Sequence, residues 1–164
     1  MKTVIMIILT SVCVIVPVFA RQYGQVMNRS GLGQRYETEQ PKVRFVSLPV
    51  YIDSGNQALA AYQFELKTKA GQVKIVGVEN GEHPAFAQPP YYDTAALAKD
   101  RIIIAAFNTG KNLPSGRNRV TTIQLQIIGQ TEPQYQLSLT IAADSDGKEI
   151  PAKITFDKGE QNEN

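Results

Sequence analysis

Few residues of this chain have the types and spacing that catalysis requires. His83 is the one histidine, and the proline that follows it favours an extended or turned backbone. A histidine base works with a nucleophile and an orienting acid, yet the chain has no Gly-x-Ser-x-Gly segment, and its one cysteine, Cys13, lies in an apolar N-terminal stretch. We therefore interpret His83 as a loop residue and expect no catalytic residue and no enzyme activity.

The acidic residues show no pair suited to glycoside hydrolysis, since most fall in predicted turns or on polar strand faces. The segment 144–147 (DSDG) resembles the start of a calcium loop. Position twelve counted from Asp144 is Thr155, however, where such a loop needs glutamate. An Asp-Gly pair is also typical of a tight turn between strands, and we favour that turn. We expect no cofactor and no metal ligand, with calcium supported only by this fragment.

The charges of the chain are nearly balanced. Among 164 residues there are 17 Lys and Arg and 15 Asp and Glu, a formal net charge of +2. Neither a basic face for nucleic acid nor a polybasic cluster for anionic lipid is present in the sequence. We therefore expect no nucleic-acid partner, and the length suits one domain.

The first twenty residues have the order of a secretory signal. Lys2 precedes the apolar run 3–16, Pro17 ends it, and Val18-Phe19-Ala20 forms a small-residue cleavage site. We expect cleavage after Ala20 and a secreted, cell-surface or periplasmic protein. Counted to Ala20, the apolar segment is about 18 residues long, at the lower limit for a membrane-spanning helix. An uncleaved anchor is therefore the alternative and would be the membrane contact of the chain.

Polar segments flank the patterned part of the chain. Residues 21–41 combine Gly, Gln, Asn and charges without a sustained period, which predicts a linker. Residues 158–164 contain no apolar side chain and are predicted to be a disordered tail. Residues 42–157 are the predicted domain, and because it contains no cysteine, it must rely on its apolar core for stability.

The domain shows the period-two alternation of half-buried strands. In the segment 60–68, one face is Tyr62, Phe64 and Leu66, and the other is Gln63, Glu65 and Lys67. Further alternating segments are 43–52, 120–129, 135–141 (with Tyr135, Leu137, Leu139 and Ile141 on one face) and 150–156. The nearly continuous apolar runs 73–78 and 102–107 predict more deeply buried strands.

Turn residues separate these strands, and only residues 93–99 (DTAALAK) read as helical, with Asp93 or Thr94 as the cap. Regular short strands with turns between them predict two packed antiparallel sheets. The expected architecture is therefore an all-β antiparallel sandwich with one short helix, preceded by a hydrophobic N-terminal helix.

The order of these segments resembles that of cohesin domains. The segments that carry the resemblance are 59–79 (LAAYQFELKTKAGQVKIVGVE), 93–96 followed by 100–105, Ser115-Gly116 before 120–125, and 144–151. The resemblance covers residues 43–156 and implies a jelly-roll sandwich of about nine strands. Cohesins bind dockerin modules through one flat sheet face, so the resemblance also implies a partner protein, with a dockerin as the partner.

By position, the partner-facing strand of the family matches Ala61, Gln63 and Glu65, although the family often has Asn and Asp where Ala61 and Gln63 stand. If the sheet order is kept, the end of the next strand near Asn108 and the polar residues of 120–129 extend the same surface. The expected partner-binding residues are Ala61, Gln63, Glu65, Asn108, Thr122 and Gln124. We expect this surface to be flat, mostly polar and wet.

Two other functions are compatible with the sequence. Several carbohydrate-binding modules share this fold type, and a polysaccharide-binding role predicts an exposed line of aromatic side chains, for which Tyr51, Tyr91 and Tyr92 are the candidates. Tyr91 and Tyr92 follow two prolines, and packing of that loop onto the sandwich explains them equally well. The third function is that of a structural subunit in a surface or secretion assembly.

Overall fold

The computed structural model describes residues 41–157. The predicted signal or anchor (1–20), nearly all of the predicted linker (21–41) and the predicted tail (158–164) lie outside the described residues. Between residues 41 and 157, no helix is long and apolar enough to cross a membrane.

This part of the chain folds into eight strands and two 3₁₀ helices. The strands are β1 (Val43–Asp53), β2 (Ala61–Ala70), β3 (Gln72–Glu79), β4 (Tyr91–Tyr92), β5 (Arg101–Phe107), β6 (Arg117–Ile128), β7 (Gln134–Ala143) and β8 (Lys153–Phe156). The 3₁₀ helices are Pro84–Phe86 and Thr94–Ala96. The predicted strands are all found. Strand β4 was not predicted, because two residues are too few to show an alternating pattern.

Two four-stranded antiparallel sheets pack face to face. We call the sheet with the order β4-β5-β2-β7 the front sheet and the sheet with the order β3-β6-β1-β8 the back sheet. The chain passes between the sheets at most connections, so strands that follow each other in the sequence often lie in opposite layers. The predicted all-β antiparallel sandwich is confirmed.

The core lies between the two sheets and is supplied by alternate residues of each strand. On β2, Tyr62, Phe64 and Leu66 are buried, as their spacing predicted. The hydroxyl of Tyr62 donates a hydrogen bond of 3.0 Å to the backbone oxygen of Val120, so the polar end of this buried ring has a partner. Burial raises the pKa of Tyr62 far above its ordinary value.

The apolar runs 73–78 and 102–107 are less buried than the sequence predicted. Val76 in β3 and Ile103 in β5 are exposed, because each of these strands turns one face to solvent. In β3 the register shifts between Ile75 and Gly77, so Val76 is the extra residue of a bulge. An apolar run therefore did not mean burial on both faces.

The predicted helix at 93–99 is reduced to the 3₁₀ helix Thr94–Ala96. A carboxylate oxygen of Asp93 accepts a hydrogen bond of 2.9 Å from the backbone N–H of Ala95, which confirms Asp93 as the cap. After Ala96 the chain returns to the sandwich, because the backbone N–H of Ala98 donates to the oxygen of Ile75 and the oxygen of Lys99 accepts from the N–H of Ile75.

The two faces of the front sheet can be compared through two phenylalanines. Phe64 is 0% exposed and Phe107 is 65% exposed. We expect Phe64→Ala to lower the free energy of unfolding by about 3–5 kcal/mol, because it leaves a cavity in the core. Phe107→Ala is expected to cost less than about 1 kcal/mol. Urea unfolding of both variants tests this, and equal losses would contradict the assignment of the two faces.

Candidate functional site

The exposed face of the front sheet, which we call the front face, contains three of the residues predicted to contact a partner. Ala61, Gln63 and Glu65 lie on β2, the strand between β5 and β7, and point away from the core because the residues between them point inward. The alternation of β2 therefore places all three on one surface, as the sequence predicted.

Large apolar side chains surround these residues. Gln63 is paired with Ala105 of β5 and with Ile141 of β7, and Tyr91 of β4 is paired with Ala105 from the other side. We call the following outward-facing set the front patch: Tyr91, Ile103, Ala105, Phe107 and Ile141. Its four large side chains are between 43% and 67% exposed. The expectation of a mostly polar face is wrong.

The aromatic part of the front patch is ordered by stacking. The rings of Tyr91 and Phe107 lie 6.0 Å apart between centroids, with an interplanar angle of 10°. Offset parallel rings at this separation attract each other beyond simple area burial. The short strand β4 pairs with β5 only through Tyr91 and Tyr92, and this pairing holds the Tyr91 ring beside Phe107.

A bulge in β7 brings Ile141 to the front face. Gln63 pairs with Ile141, whereas the next residue, Phe64, pairs with Leu139, so Thr140 is an extra residue in β7. One extra residue reverses the side to which the following side chains point. Ile141 is consequently exposed, although the sequence placed it on the same apolar face as Leu139.

Charged side chains lie at one end of the front face. Arg101 donates two hydrogen bonds to Glu65, from Nε at 2.9 Å and from Nη2 at 2.8 Å. The hydrogen bond from Arg101 holds the pKa of Glu65 below its ordinary value, with the positive charges of Arg101, Lys67 and Lys69 as a further cause. Glu65 is therefore a paired carboxylate at the border of the front patch.

A groove of about 630 Å³ overlaps the front patch where β4 meets β5. Its lining combines the apolar or aromatic residues Tyr91, Ile103 and Ala105 with the charged residues Asp93, Asp100, Lys99 and Arg101. Apolar walls with a few charges suit a side chain of a partner that has both an apolar stem and a polar end.

Asn108 has a structural role at the end of β5. Its side-chain amide donates to the backbone oxygen of Ala85 at 2.9 Å, and its side-chain oxygen accepts from the N–H of Gly110 at 2.7 Å. Both functional groups of the side chain thus hold the loops at this end of the sandwich. Asn108 lies next to Phe107, at the border of the front face.

Thr122 and Gln124 lie on β6, which belongs to the back sheet. The expectation that they extend the β2 surface is wrong, because the chain crosses to the other layer between β5 and β6. Thr122 is buried and accepts a hydrogen bond of 2.9 Å from Arg119. Gln124 donates to Glu79 at 2.7 Å and accepts from Ser47 at 2.8 Å.

The three tyrosines proposed for sugar binding do not form a line. Tyr51 lies on β1 of the back sheet, where the guanidinium of Arg117 is 3.6 Å from its ring centroid. Tyr92 packs against the core, and only Tyr91 lies on the front face. Tyr92 therefore packs the loop onto the sandwich, whereas the ring of Tyr91 is exposed.

The Asp144 segment is a turn. A carboxylate oxygen of Asp144 accepts hydrogen bonds from the N–H groups of Asp146 at 3.0 Å and Lys148 at 2.9 Å, and Gly147 has a φ of 77° that suits glycine.

His83 caps the 3₁₀ helix at Pro84, since its Nδ1 accepts from the N–H of Ala85 at 3.2 Å. The described residues contain no group of three or more His, Cys, Asp or Glu side chains that could hold a metal ion.

Comparison with known proteins concerns the fold. No protein-family model matches the sequence, and no curated protein matches it. A solved crystal structure, that of a complex between CaDoc0917 and CaCohA2, contains a chain similar to this one. The similarity has a TM-score of 0.51 and 14% sequence identity, and it covers 66% of this chain and 82% of that chain. The similarity is one of fold, and it supports at that level the β-sandwich that the order of the segments indicated.

The ion pair at the border of the front patch is testable by pH titration. We expect the Glu65 carboxyl to titrate below its ordinary pKa, and Arg101→Gln to raise that pKa toward the ordinary value. Because folding lowers this pKa, the pair stabilises the fold above the unfolded-state pKa, and the contribution is lost as the pH falls through the folded-state pKa. NMR titration of the carboxyl carbon gives both values.

Arg117→Gln is the matched control, because Arg117 pairs with Asp157 at 3.1 Å and lies on the back sheet. An unchanged Glu65 titration in Arg101→Gln would show that the pair does not control this pKa.

Proposed function

We propose that this protein is a non-catalytic docking module that binds a partner protein through the front face. The exposed front patch carries the proposal, because a monomeric soluble domain rarely leaves clustered aromatic and aliphatic side chains in water without a function. Tyr91, Phe107, Ile103 and Ile141 surround Gln63 on a single sheet face.

The chemistry of the face resembles that of protein interfaces. Aromatic anchors dominate binding energy when they lie at the centre of a contact, and charged residues are usually at its border. In this face Tyr91 and Phe107 stack beside Gln63, and the Arg101–Glu65 pair lies at one end. Binding would therefore be driven mainly by burial of apolar area, with the ion pair and Gln63 setting orientation.

The proposed partner is a dockerin-type module. Support comes from the resemblance of residues 43–156 to cohesins and from the similarity of fold to a chain of the CaDoc0917–CaCohA2 complex. The proposed setting is outside the cytoplasm, on the basis of the signal-like order of residues 1–20. A polysaccharide partner has less support, because the predicted line of tyrosines does not form.

Partner capture tests the proposal. The chain is immobilised and exposed to the exported proteins of its host with and without calcium, because dockerins fold around calcium. We expect a captured protein that requires calcium and is lost in Ile103→Lys, which places a charge within the front patch. The binding constant of the captured protein for each variant is then measured by calorimetry, with an expected loss of about tenfold or more.

Val76→Lys is the matched control for this experiment. Val76 is 44% exposed and Ile103 is 43% exposed, but Val76 lies on β3 of the back sheet. Capture that is lost equally in both variants, or kept in both, would exclude the front face as the docking site.

A further inference from the structure

Among the described residues, the first half of β1 has no neighbouring strand on the β8 side. β8 pairs with β1 only along Val50–Asp53, although β1 begins at Val43. Within residues 41–157, no strand pairs with Val43–Leu48 on that side, while β6 pairs with them on the other side. The sandwich described has eight strands where the resemblance implied about nine, and this gap is where a further strand would pair.

Two hydrogen bonds define which backbone groups point into the gap. The oxygen of Pro49 accepts from the N–H of Asp157 on the β8 side, and the oxygen of Lys42 accepts from the N–H of Gly129 on the β6 side. Because hydrogen-bonding groups alternate along an antiparallel strand, the N–H and C=O groups of Val43, Phe45 and Ser47 point into the gap.

The side chains at these positions favour association of this edge with another strand. Phe45 is 69% exposed and Val43 is 46% exposed, and both lie on the outer face of the back sheet. Exposed edges are usually protected by lysine, proline or an inward charge, because they pair readily with other strands. None of the three outward positions, Val43, Phe45 and Ser47, carries a charge. Lys42 and Pro49 stand only at the two ends of this stretch, and the charge of Arg44 is paired with Glu132.

We propose that this edge pairs with the same edge of a second copy of the chain. Antiparallel pairing around a two-fold axis at Phe45 places Phe45 opposite Phe45 of the second copy, and Val43 opposite Ser47. All three pairs then have their hydrogen-bonding groups facing each other, and no like charges meet across the axis. The result is a continuous eight-stranded back sheet with a shared apolar strip of phenylalanine and valine.

The length of the gap and the charges at its ends fit this arrangement. The paired stretch Val43–Ser47 stays clear of Asp157, which occupies the edge beside Pro49. In the pairing, the exposed Lys42 of each copy lies beside Leu48 of the other and therefore approaches its exposed Asp157, where it would join the existing ion pair between Asp157 and Arg117. This attraction occurs twice because of the symmetry.

The dimer leaves both docking surfaces open, since the front face lies on the opposite sheet. Two strands of this length bury less than a stable interface of about 1,200–2,000 Å² requires, so the dimer is weak and depends on concentration. Its consequence is bivalent display of the front face, which strengthens binding to any partner that carries two sites.

Sedimentation velocity of the host-processed chain over a concentration series tests the proposal. We expect a monomer–dimer equilibrium whose dissociation constant rises about tenfold or more in Phe45→Lys, because two like charges then stand directly opposite each other. Phe107→Lys is the control, since Phe107 is similarly exposed but on the front face, and it should dimerise normally. A chain that stays monomeric, or a dimer that Phe45→Lys leaves intact, overturns the proposal.

Hydrogen exchange distinguishes strand pairing from other occupants of the edge. We expect the N–H groups of Val43, Phe45 and Ser47 to be protected only at concentrations where the dimer forms. Those of Arg44, Val46 and Leu48, which point toward β6, should be protected at every concentration. Protection of the first group in the monomer would mean that another segment of the chain fills the gap, and it would overturn the proposal.

The two proposals fail separately. Phe45→Lys should capture the docking partner as a monomeric module does, and Ile103→Lys should dimerise while losing the partner. A variant that loses the partner but dimerises normally therefore bears on the docking proposal and not on the dimer proposal.

Discussion

The two-residue alternation of β2 is the constraint on which the rest of the structure depends. β2 is an inner strand of the front sheet, and its odd and even residues are divided strictly between core and surface. Tyr62, Phe64 and Leu66 are nearly inaccessible to solvent, so a shift of register by one residue would bury Gln63 and Glu65 instead. Burying an unpaired carboxylate and an amide would cost a large free energy, and this cost fixes the register of β2. The register in turn decides which residues form the core and which form the front face.

The front face shows how the two sides of a sheet in a thin sandwich can have separate roles. The inner side of each front strand supplies the core, and the outer side is available for a function that costs the fold little. The apolar residues Ile103 and Phe107 contribute little to folding because they stay in contact with water. A partner that covered them would remove this apolar area from water, and this gain is the physical basis for proposing the front face as the docking surface.

Irregular pairing shapes both surfaces as much as regular pairing does. The extra residue in β7 turns Ile141 outward and completes the front patch. Because β8 is short, no strand of residues 41–157 pairs with the first half of β1 on that side. Bulges and short edge strands are common devices for aiming side chains and ending sheets. Here they produce an apolar face on one sheet and, within the described part of the chain, a stretch of edge on the other sheet that no strand covers.

The sequence by itself determined the fold class, seven of the strands, the turn at Asp144 and the shared surface of Ala61, Gln63 and Glu65, because these follow from local alternation and turn chemistry. It could not place Thr122 and Gln124 in the opposite sheet, since periodicity describes each strand separately and does not say which sheet the strand joins. Nor could it find the front patch, because whether an apolar residue is buried depends on which strands lie beside it. The apolar residues at positions 103, 105 and 107 were the available indication. Only the tertiary structure decided these points, since strand order, bulges and open edges arise from pairing between residues far apart in the chain.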